Sequence, residues 1–226
     1  MGTLGHLHSR PLAAAFGGGP GRHALGFGSK RDSHLYVPAS VKPSRPAPLA
    51  LMLHGAGGHA EHGLGLMERL ADDAGMIVLA PASRAQTWDV IAEGAYGADL
   101  ATIDRALALV FRQYAVDPAR IAIGGFSDGA SYALSLGLAN GDLFRHVIAF
   151  SPGFVAPMDR RGEPRLFIRH GRRDDVLPIE ACSRRIVPNL REAGYLVDYR
   201  EFDGPHVVPP ELARAALAWF LPDAGG

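Results

Sequence analysis

Short apolar runs alternate along this chain with longer segments whose apolar residues recur every three or four positions. Continuous runs such as residues 49–53 and 76–80 are typical of strands buried on both faces of a parallel sheet. Similar, less apolar runs predict further strands. The predicted strands cover residues 49–53, 76–80, 121–123, 146–150, 165–169 and 197–202.

Helical spacing occurs between these strands. In residues 98–114, for example, Leu100, Ile103, Leu107 and Val110 fall on one helical face. One predicted helix follows the strand 49–53 and ends at about residue 74. Four more cover about residues 98–114, 130–139, 179–193 and 211–221. This alternation predicts an α/β fold with a doubly wound, mostly parallel sheet flanked by helices. In such a sheet, ligands bind at the carboxyl ends of the strands.

The length of 226 residues suits a single α/β domain. Residues 1–21 end in the glycine-rich run 17–21 and are predicted to form a flexible segment. We expect residues 22–226 to form the domain, with one or two edge strands between His23 and Val37.

Charge, cysteine content and the length of apolar stretches limit the partners and the cellular location to be expected. The formal net charge is zero, from 23 basic and 23 acidic side chains, and no basic stripe stands out, so no nucleic-acid partner is expected. Cys182 is the only cysteine, which excludes an intrachain disulfide and is compatible with a reducing compartment. The chain lacks a secretory signal and any apolar stretch near the ~20 residues of a membrane span. We therefore expect a cytoplasmic protein, and a homodimer is left open.

The most informative motif is Gly125-Phe126-Ser127-Asp128-Gly129. It reads G-x-S-x-G, follows the apolar run 121–123 and precedes the Ala- and Leu-rich segment 130–139. A serine between two glycines at a turn from strand to helix is the nucleophile elbow of α/β-hydrolases. The bare pattern is common by chance in a chain with 28 glycines, but its predicted surroundings make Ser127 a candidate nucleophile.

A serine nucleophile needs a base and an acid, which in this fold follow it in the order acid, then histidine. Only one histidine, His206, follows the acid candidates, and it lies in a loop directly after the predicted strand 197–202. The acid is Asp174 or Asp175. Both follow the predicted strand 165–169, and spacing alone does not choose between them.

Acyl transfer also needs two fixed donors for the developing oxyanion. One is predicted to be the main-chain N–H of Asp128, and the other to come from the loop His54-Gly55-Ala56-Gly57-Gly58. A phosphate-binding loop is the alternative interpretation. The loop lacks the Lys-Ser/Thr ending of a P-loop and the dinucleotide G-x-G-x-x-G pattern, so this alternative is disfavoured.

Two other features have competing interpretations. His54, His59 and His62 do not have the H-E-x-x-H spacing of a metal site, so we expect a structural His54, exposed His59 and His62, and no metal. Trp88, in the loop after strand 76–80, either borders the substrate site or anchors its own loop by packing.

Together these motifs resemble the phospholipase/carboxylesterase branch of the α/β-hydrolase superfamily, and also polyhydroxybutyrate-depolymerase-like and dienelactone-hydrolase-like bacterial esterases. The resemblance covers roughly residues 47–221. Besides the elbow, its motifs are Leu53-His54-Gly55-Ala56-Gly57-Gly58, Phe150-Ser151-Pro152-Gly153, His170-Gly171-x-x-Asp174-x-Val176-Leu177-Pro178 and Gly204-Pro205-His206.

The resemblance implies roles that spacing left open. The H-G-x-x-D motif places the catalytic aspartate four residues after the histidine, which is Asp174 here. The family's oxyanion residue follows the H-G pair, which is Ala56 here. Two departures are notable. Many members have Gln where this chain has Asp128, and dienelactone hydrolases have Cys where it has Ser127.

The implied activity is hydrolysis of short- to medium-chain carboxylic esters through an acyl-enzyme, with a Ser-His-Asp triad and no cofactor. Trp88, Gly57 and Leu177 are the predicted substrate contacts. Only residues 151–164 separate two predicted strands, which is too short for a cap domain, so the site is expected to be open. A thioesterase, a peptidase and a non-catalytic ligand-binding protein with the same fold are the alternatives.

Overall fold

The computed structural model describes residues 5–11, 17–27, 31–156 and 159–222. Eight strands within these residues form one sheet. They are β1 (Gly21–Ala24), β2 (His34–Val37), β3 (Ala47–Leu53), β4 (Ile77–Ala80), β5 (Val116–Phe126), β6 (His146–Phe150), β7 (Arg165–Gly171) and β8 (Val197–Phe202). The spatial order is β1-β2-β4-β3-β5-β6-β7-β8. Strands β1, β2 and β4 pair antiparallel, and all pairings from β4 through β8 are parallel.

Helices cover both faces of the sheet. They are α1 (Ala60–Gly65), α2 (Glu68–Ala74), α3 (Asp89–Ala92), α4 (Ala98–Gln113), α5 (Asp128–Ala139), α6 (Ser183–Glu192) and α7 (Pro210–Phe220). Apolar residues of α4, α5 and α6 share one core, and those of α1, α2 and α7 share the other. The predicted α/β fold with a doubly wound, mostly parallel sheet is confirmed.

Strand β3 contributes side chains to both cores. Leu49, Leu51 and Leu53 enter the core that contains α4 and α5, whereas Ala50 and Met52 enter the core that contains α1 and α7. Successive side chains of a strand point to opposite faces, so a strand between two helical layers must be apolar at every position.

Most elements agree with the sequence prediction, but β5 begins at Val116 where residue 121 was predicted, and α6 begins at Ser183 where about residue 179 was predicted. Two other regions differ in their helices. The helix predicted before residue 75 is two short helices, α1 and α2, which end at Gly65 and Ala74. The stretch 81–97, which gave no periodic pattern, contains the short helix α3. Its buried Asp89 accepts hydrogen bonds from the main-chain N–H groups of Gly97 and Asp99, and such polar contacts leave no apolar period.

The sheet brings the candidate residues to one edge. Ser127 follows β5, Asp174 follows β7 and His206 follows β8, and these parallel strands all end on the same side. The connection between β6 and β7 contains no helix in its described residues, 151–156 and 159–164. The fold therefore has no cap domain on this connection.

The amino-terminal segment differs from its prediction. Leu7 is 1% exposed and packs in the core with α4 and α5, and its N–H donates to the Asn140 side chain at 2.8 Å. The N–H of Gly18 donates to the carbonyl of Gln113 at 2.9 Å, and β1 begins at Gly21. A flexible segment over 1–21 therefore does not fit these residues, because a buried leucine and paired amides hold them. Residues 1–4 and 12–16 lie outside the described residues.

No helix in the part of the chain that the structure describes is long and apolar enough to cross a bilayer.

Replacing Leu7 with Ala should lower the free energy of unfolding by about 2–4 kcal/mol, because it removes a buried side chain and leaves a cavity. His8→Ala is the matched control, since His8 is exposed and its hydrogen bond to Asp104 uses the main chain. Urea unfolding measures both variants. Equal stability of Leu7→Ala and the wild type would show that this segment does not pack on the domain.

Candidate active site

Ser127 sits at a strained turn between β5 and α5. Its backbone has φ 59° and ψ −123°, a positive φ that a residue with a Cβ rarely adopts. The conformation persists because the surroundings fix it, and such strain is found at functional sites. The turn lifts the hydroxyl of Ser127 out of the strand and toward the edge where His206 lies.

Both glycines of the elbow are required by close backbone contacts. A Cβ on Gly129 would lie 2.4 Å from the carbonyl oxygens of Leu53 and His54, and one on Gly125 would lie 2.5 Å from the carbonyl oxygen of Gly129. The first turn of α5 therefore packs directly on the end of β3. The G-x-S-x-G pattern thus has a steric cause in this chain.

The three candidate side chains form one hydrogen-bonded chain. The distance from Ser127 Oγ to His206 Nε2 is 2.9 Å, and that from His206 Nδ1 to Asp174 Oδ2 is 2.6 Å. The His206 side chain is 12% exposed and that of Asp174 is fully buried. The ring of Phe126 packs against the imidazole at a centroid distance of 4.5 Å, which limits its rotation. Asp175 is exposed.

The Asp174 carboxylate is fixed from both sides. Its Oδ1 accepts the main-chain N–H groups of Val176 at 3.1 Å and Leu177 at 2.8 Å, while Oδ2 accepts from His206. Burial raises the pKa of Asp174, but the hydrogen bonds from His206 and from the Leu177 amide outweigh burial and bring the pKa below its ordinary value. The group is therefore an anion near neutral pH and stabilises a protonated His206.

His170 also contacts this carboxylate, a contact that the sequence interpretation did not identify. Its Nε2 lies 2.8 Å from the carbonyl of Leu177 and 3.2 Å from Asp174 Oδ2, and its Nδ1 lies 2.7 Å from the hydroxyl of Ser183. Burial lowers the pKa of His170, so the ring is neutral, with Nε2–H donating and Nδ1 accepting. The sequence signal that could have indicated this contact is the place of His170 in the H-G-x-x-D motif, four residues before Asp174.

The two predicted oxyanion donors are the main-chain N–H groups of Ala56, in the loop after β3, and of Asp128, directly after Ser127. Among the described residues, no hydrogen-bond acceptor contacts the N–H of Ala56 or that of Asp128. A Cβ on Gly55 would lie 3.2 Å from the Cβ of Ser127, so the loop of Ala56 packs beside the nucleophile. Gly57 turns this loop with φ 69°. The absence of an acceptor among the described residues is compatible with the predicted role of both N–H groups, which stays a prediction.

His54 has the structural role expected from the sequence. It is 1% exposed, its Nε2 accepts the N–H of Ser83 at 3.1 Å, and its Nδ1–H donates to the carbonyl of Gly55 at 2.7 Å. Burial lowers the pKa of His54 to about 4, so the ring is neutral. His59 and His62 are exposed, also as expected.

The proposed role of Trp88 as a substrate wall does not fit the structure. Trp88 is completely buried, and its Nε1–H donates to the carbonyl of His54 at 2.9 Å. Its ring stacks on Tyr132 at a centroid distance of 5.1 Å. It is the packed loop anchor of the alternative interpretation, because an indole with no exposed surface cannot contact a ligand. Gly57 is exposed and Leu177 half-buried, and their contact with substrate stays a prediction.

Comparison with known proteins adds to this geometry. The family model described as phospholipase/carboxylesterase matches residues 100–209, a range that contains Ser127, Asp174 and His206 but not the loop of Ala56. The chain has the α/β-hydrolase fold. The resemblance to the phospholipase/carboxylesterase branch is confirmed over the matched residues. No curated protein sequence shows a significant match to this chain.

Several esterase structures share this α/β-hydrolase fold. A thermostable esterase superposes with a TM-score of 0.72 and 24% identity over 84% of this chain, which spans 58% of that protein's length. The S-formylglutathione hydrolase FrmB from Staphylococcus aureus superposes with a TM-score of 0.71 and 16% identity, and the match covers 92% of this chain and 98% of that protein. The Bacillus cereus carboxylesterase superposes with a TM-score of 0.63 and 20% identity, and the match covers 85% of this chain and 94% of that protein. At these identities the similarity establishes the fold.

Gly129→Ala tests the steric basis of the elbow. Alanine is normally better than glycine in a helix by about 1 kcal/mol, but here the Cβ clashes with two carbonyl oxygens, so we expect a loss of about 1–3 kcal/mol in unfolding free energy. Gly65→Ala in α1 is the matched control, because a Cβ there meets nothing within 4 Å and should be neutral or stabilising. A Gly129→Ala protein as stable as wild type in urea would contradict this account.

Proposed function

We propose that this protein is a serine carboxylesterase that hydrolyses short- to medium-chain carboxylic esters through an acyl-enzyme. The observation that carries the proposal is the chain of hydrogen bonds from Ser127 through His206 to Asp174, with distances of 2.9 and 2.6 Å. This arrangement can activate a hydroxyl as a nucleophile, because the histidine takes the proton and the carboxylate stabilises the resulting imidazolium.

In the proposed first step, Ser127 Oγ attacks the ester carbonyl carbon while its proton passes to His206 Nε2. The carbonyl oxygen becomes an anion that accepts hydrogen bonds from the N–H groups of Ala56 and Asp128. When the tetrahedral intermediate collapses, the carbon–oxygen bond to the alcohol breaks and His206 returns the proton to that alcohol. The products of this step are the free alcohol and an acyl-Ser127 ester.

In the proposed second step, water attacks the acyl carbon and gives its proton to His206. The same two N–H groups stabilise the second oxyanion. Its collapse breaks the bond between the acyl carbon and Ser127 Oγ, His206 returns the proton to Oγ, and the carboxylic acid leaves. Asp174 stays ionised throughout. Its pKa is low because the hydrogen bonds from His206 and Leu177 outweigh the effect of burial, and a low pKa suits that role.

Ser127→Ala should reduce hydrolysis of p-nitrophenyl butyrate by roughly 10⁴-fold or more, since it removes the nucleophile while leaving the oxyanion donors. Ser40→Ala is the control, because Ser40 is exposed and far along the chain from the elbow. Wild-type protein should also be labelled by a fluorophosphonate probe, and Ser127→Ala should not.

The outcomes separate the competing functions. Undiminished turnover by Ser127→Ala would refute the assignment of the nucleophile, and a wild-type protein without labelling or turnover would indicate a non-catalytic binding protein. A thioester and an aminoacyl amide of the same acyl chain belong in the panel. A larger kcat/KM for either than for the oxygen ester would move the assignment to thioesterase or peptidase.

The surface around the proposed site favours an apolar acyl chain. The large hydrophobic side chains exposed among the described residues are Val176 (61%), Val207 (43%) and Leu196 (72%). Val176 lies two residues after Asp174, and Val207 directly follows His206. Two of the three exposed side chains thus flank the site, where a hydrocarbon chain of the substrate can cover them. Such contacts are worth about 0.8 kcal/mol per buried methylene.

Val176→Ser and Val207→Ser should each lower kcat/KM for p-nitrophenyl octanoate about 3- to 10-fold, as expected from losing about 1 kcal/mol of apolar contact. The acetate ester, which is too short to reach the valines, should be little affected. Leu196→Ser is the matched control, because Leu196 is also an exposed apolar side chain but lies outside the site loops. Parallel losses for acetate and octanoate would show that the valines do not contact the acyl chain.

A further inference from the structure

Residues 86–88 bind the loop that carries one proposed oxyanion donor. The carbonyl of Gln86 accepts the N–H of Gly57 at 2.7 Å, and the indole N–H of Trp88 donates to the carbonyl of His54 at 2.9 Å. These bonds lie on either side of Ala56 in sequence. The position of the Ala56 N–H is therefore set from residues 86–88.

The residue between them binds the nucleophile elbow. The hydroxyl of Thr87 donates to Oδ2 of Asp128 at 2.5 Å, and Asp128 directly follows Ser127. Three consecutive residues thus contact both sides of the proposed oxyanion hole, the loop of Ala56 and the elbow of Asp128. We name residues 86–88 the clasp.

The clasp is itself rigidly anchored. The ring of Trp88 lies between the rings of His54 and Tyr132, at centroid distances of 4.7 and 5.1 Å. The buried Asp89, which follows the clasp, accepts the hydroxyl of Tyr132 at 2.7 Å. A fixed support of this kind can hold two separate chain segments at a constant distance, as an oxyanion hole requires.

The Asp128 carboxylate makes the Thr87 contact important. Asp128 is the first residue of α5, where the free main-chain N–H groups and the helix dipole attract a negative charge. An unrestrained carboxylate can turn toward those same N–H groups and compete with the oxyanion for them. The hydrogen bond from the Thr87 hydroxyl ties the carboxylate to the clasp and restrains that turn.

We propose that Thr87 is a positioning residue that sets the oxyanion geometry by holding the Asp128 carboxylate. The proposal rests on the proposed esterase function, since it concerns that site. It also assigns a purpose to a departure from the resembling family, many of whose members have Gln at the position of Asp128. A charged residue at this point is tolerated because the clasp supplies a partner for it.

Thr87→Val removes the hydroxyl and keeps the shape of the side chain. We expect kcat for p-nitrophenyl butyrate to fall roughly 10- to 100-fold with KM changed less than about twofold, because the ground state does not use the oxyanion donors fully. Thr87→Ser restores the hydroxyl and should recover most of kcat. Thr102→Val is the matched control, since that hydroxyl only donates to Ala98 within α4.

A double-mutant cycle tests the pair itself. If Thr87 acts by holding the Asp128 carboxylate, the double variant Thr87→Val/Asp128→Ala should be no slower than Asp128→Ala alone, because no carboxylate is left to compete with the oxyanion. Losses that multiply would overturn the coupling. A Thr87→Val enzyme with wild-type kcat, or a Thr87→Ser enzyme as slow as Thr87→Val, would overturn the proposal as well.

Hydrogen exchange supplies a readout that needs no activity. In Thr87→Val, peptides covering residues 54–58 and 127–131 should exchange faster than in wild type and in Thr102→Val. Unchanged exchange in both peptides would overturn the clasp. A wild-type protein without Ser127-dependent hydrolysis would instead refute the proposed function, and the exchange result would still decide whether Thr87 holds the elbow to the loop.

Discussion

The close approach of the nucleophile elbow to the end of β3 is the constraint on which the site depends. Gly129 brings the first turn of α5 so near the carbonyls of Leu53 and His54 that no side chain fits between them. The same approach places the loop after β3 beside Ser127 and keeps that residue at positive φ. The positions of the proposed nucleophile and of the loop that carries Ala56 therefore depend on the same backbone packing contact.

A second constraint is electrostatic and centres on Asp174. A fully buried carboxylate is unfavourable unless hydrogen bonds replace its lost water. Here main-chain N–H groups of the loop that follows it, together with His206, supply those bonds and keep its pKa low. Because the folded-state pKa is depressed, this group stabilises the fold above the unfolded-state pKa, and the contribution is lost as the pH falls through the folded-state pKa. The orientation of His206 and part of the acid stability therefore share a cause.

A structural feature could be predicted from the sequence only where it leaves a local pattern of residues. Continuous apolar runs predicted strands such as β3, because both faces of such a strand are buried. The elbow glycines were also visible, since their steric requirement is local. Spacing could not separate Asp174 from Asp175. That difference arises from which side chain turns inward to meet His206, which only the fold determines.

The features that the sequence did not reveal are buried polar contacts between distant segments. Leu7 reads as part of a glycine-rich tail, yet a side chain 133 positions away, that of Asn140, accepts its N–H. Trp88 reads as a loop aromatic that could line a pocket, yet Tyr132 and His54 enclose it. Such contacts have no period, so the stretch after β4 looked irregular although it supports the site.

An open site places a particular demand on this chain. Without a helical cap on the β6–β7 connection to exclude solvent, the proposed oxyanion contacts would depend on rigid donors for their strength. Rigid support is what Trp88 and the buried Asp89 provide beneath the loop of Ala56. An apolar acyl chain lying across Val176 and Val207 would itself displace water from the scissile carbonyl. In the proposed esterase, the buried network around the loop and the exposed valines would therefore serve the same end, which is to stabilise the oxyanion at a site without a cap on the β6–β7 connection.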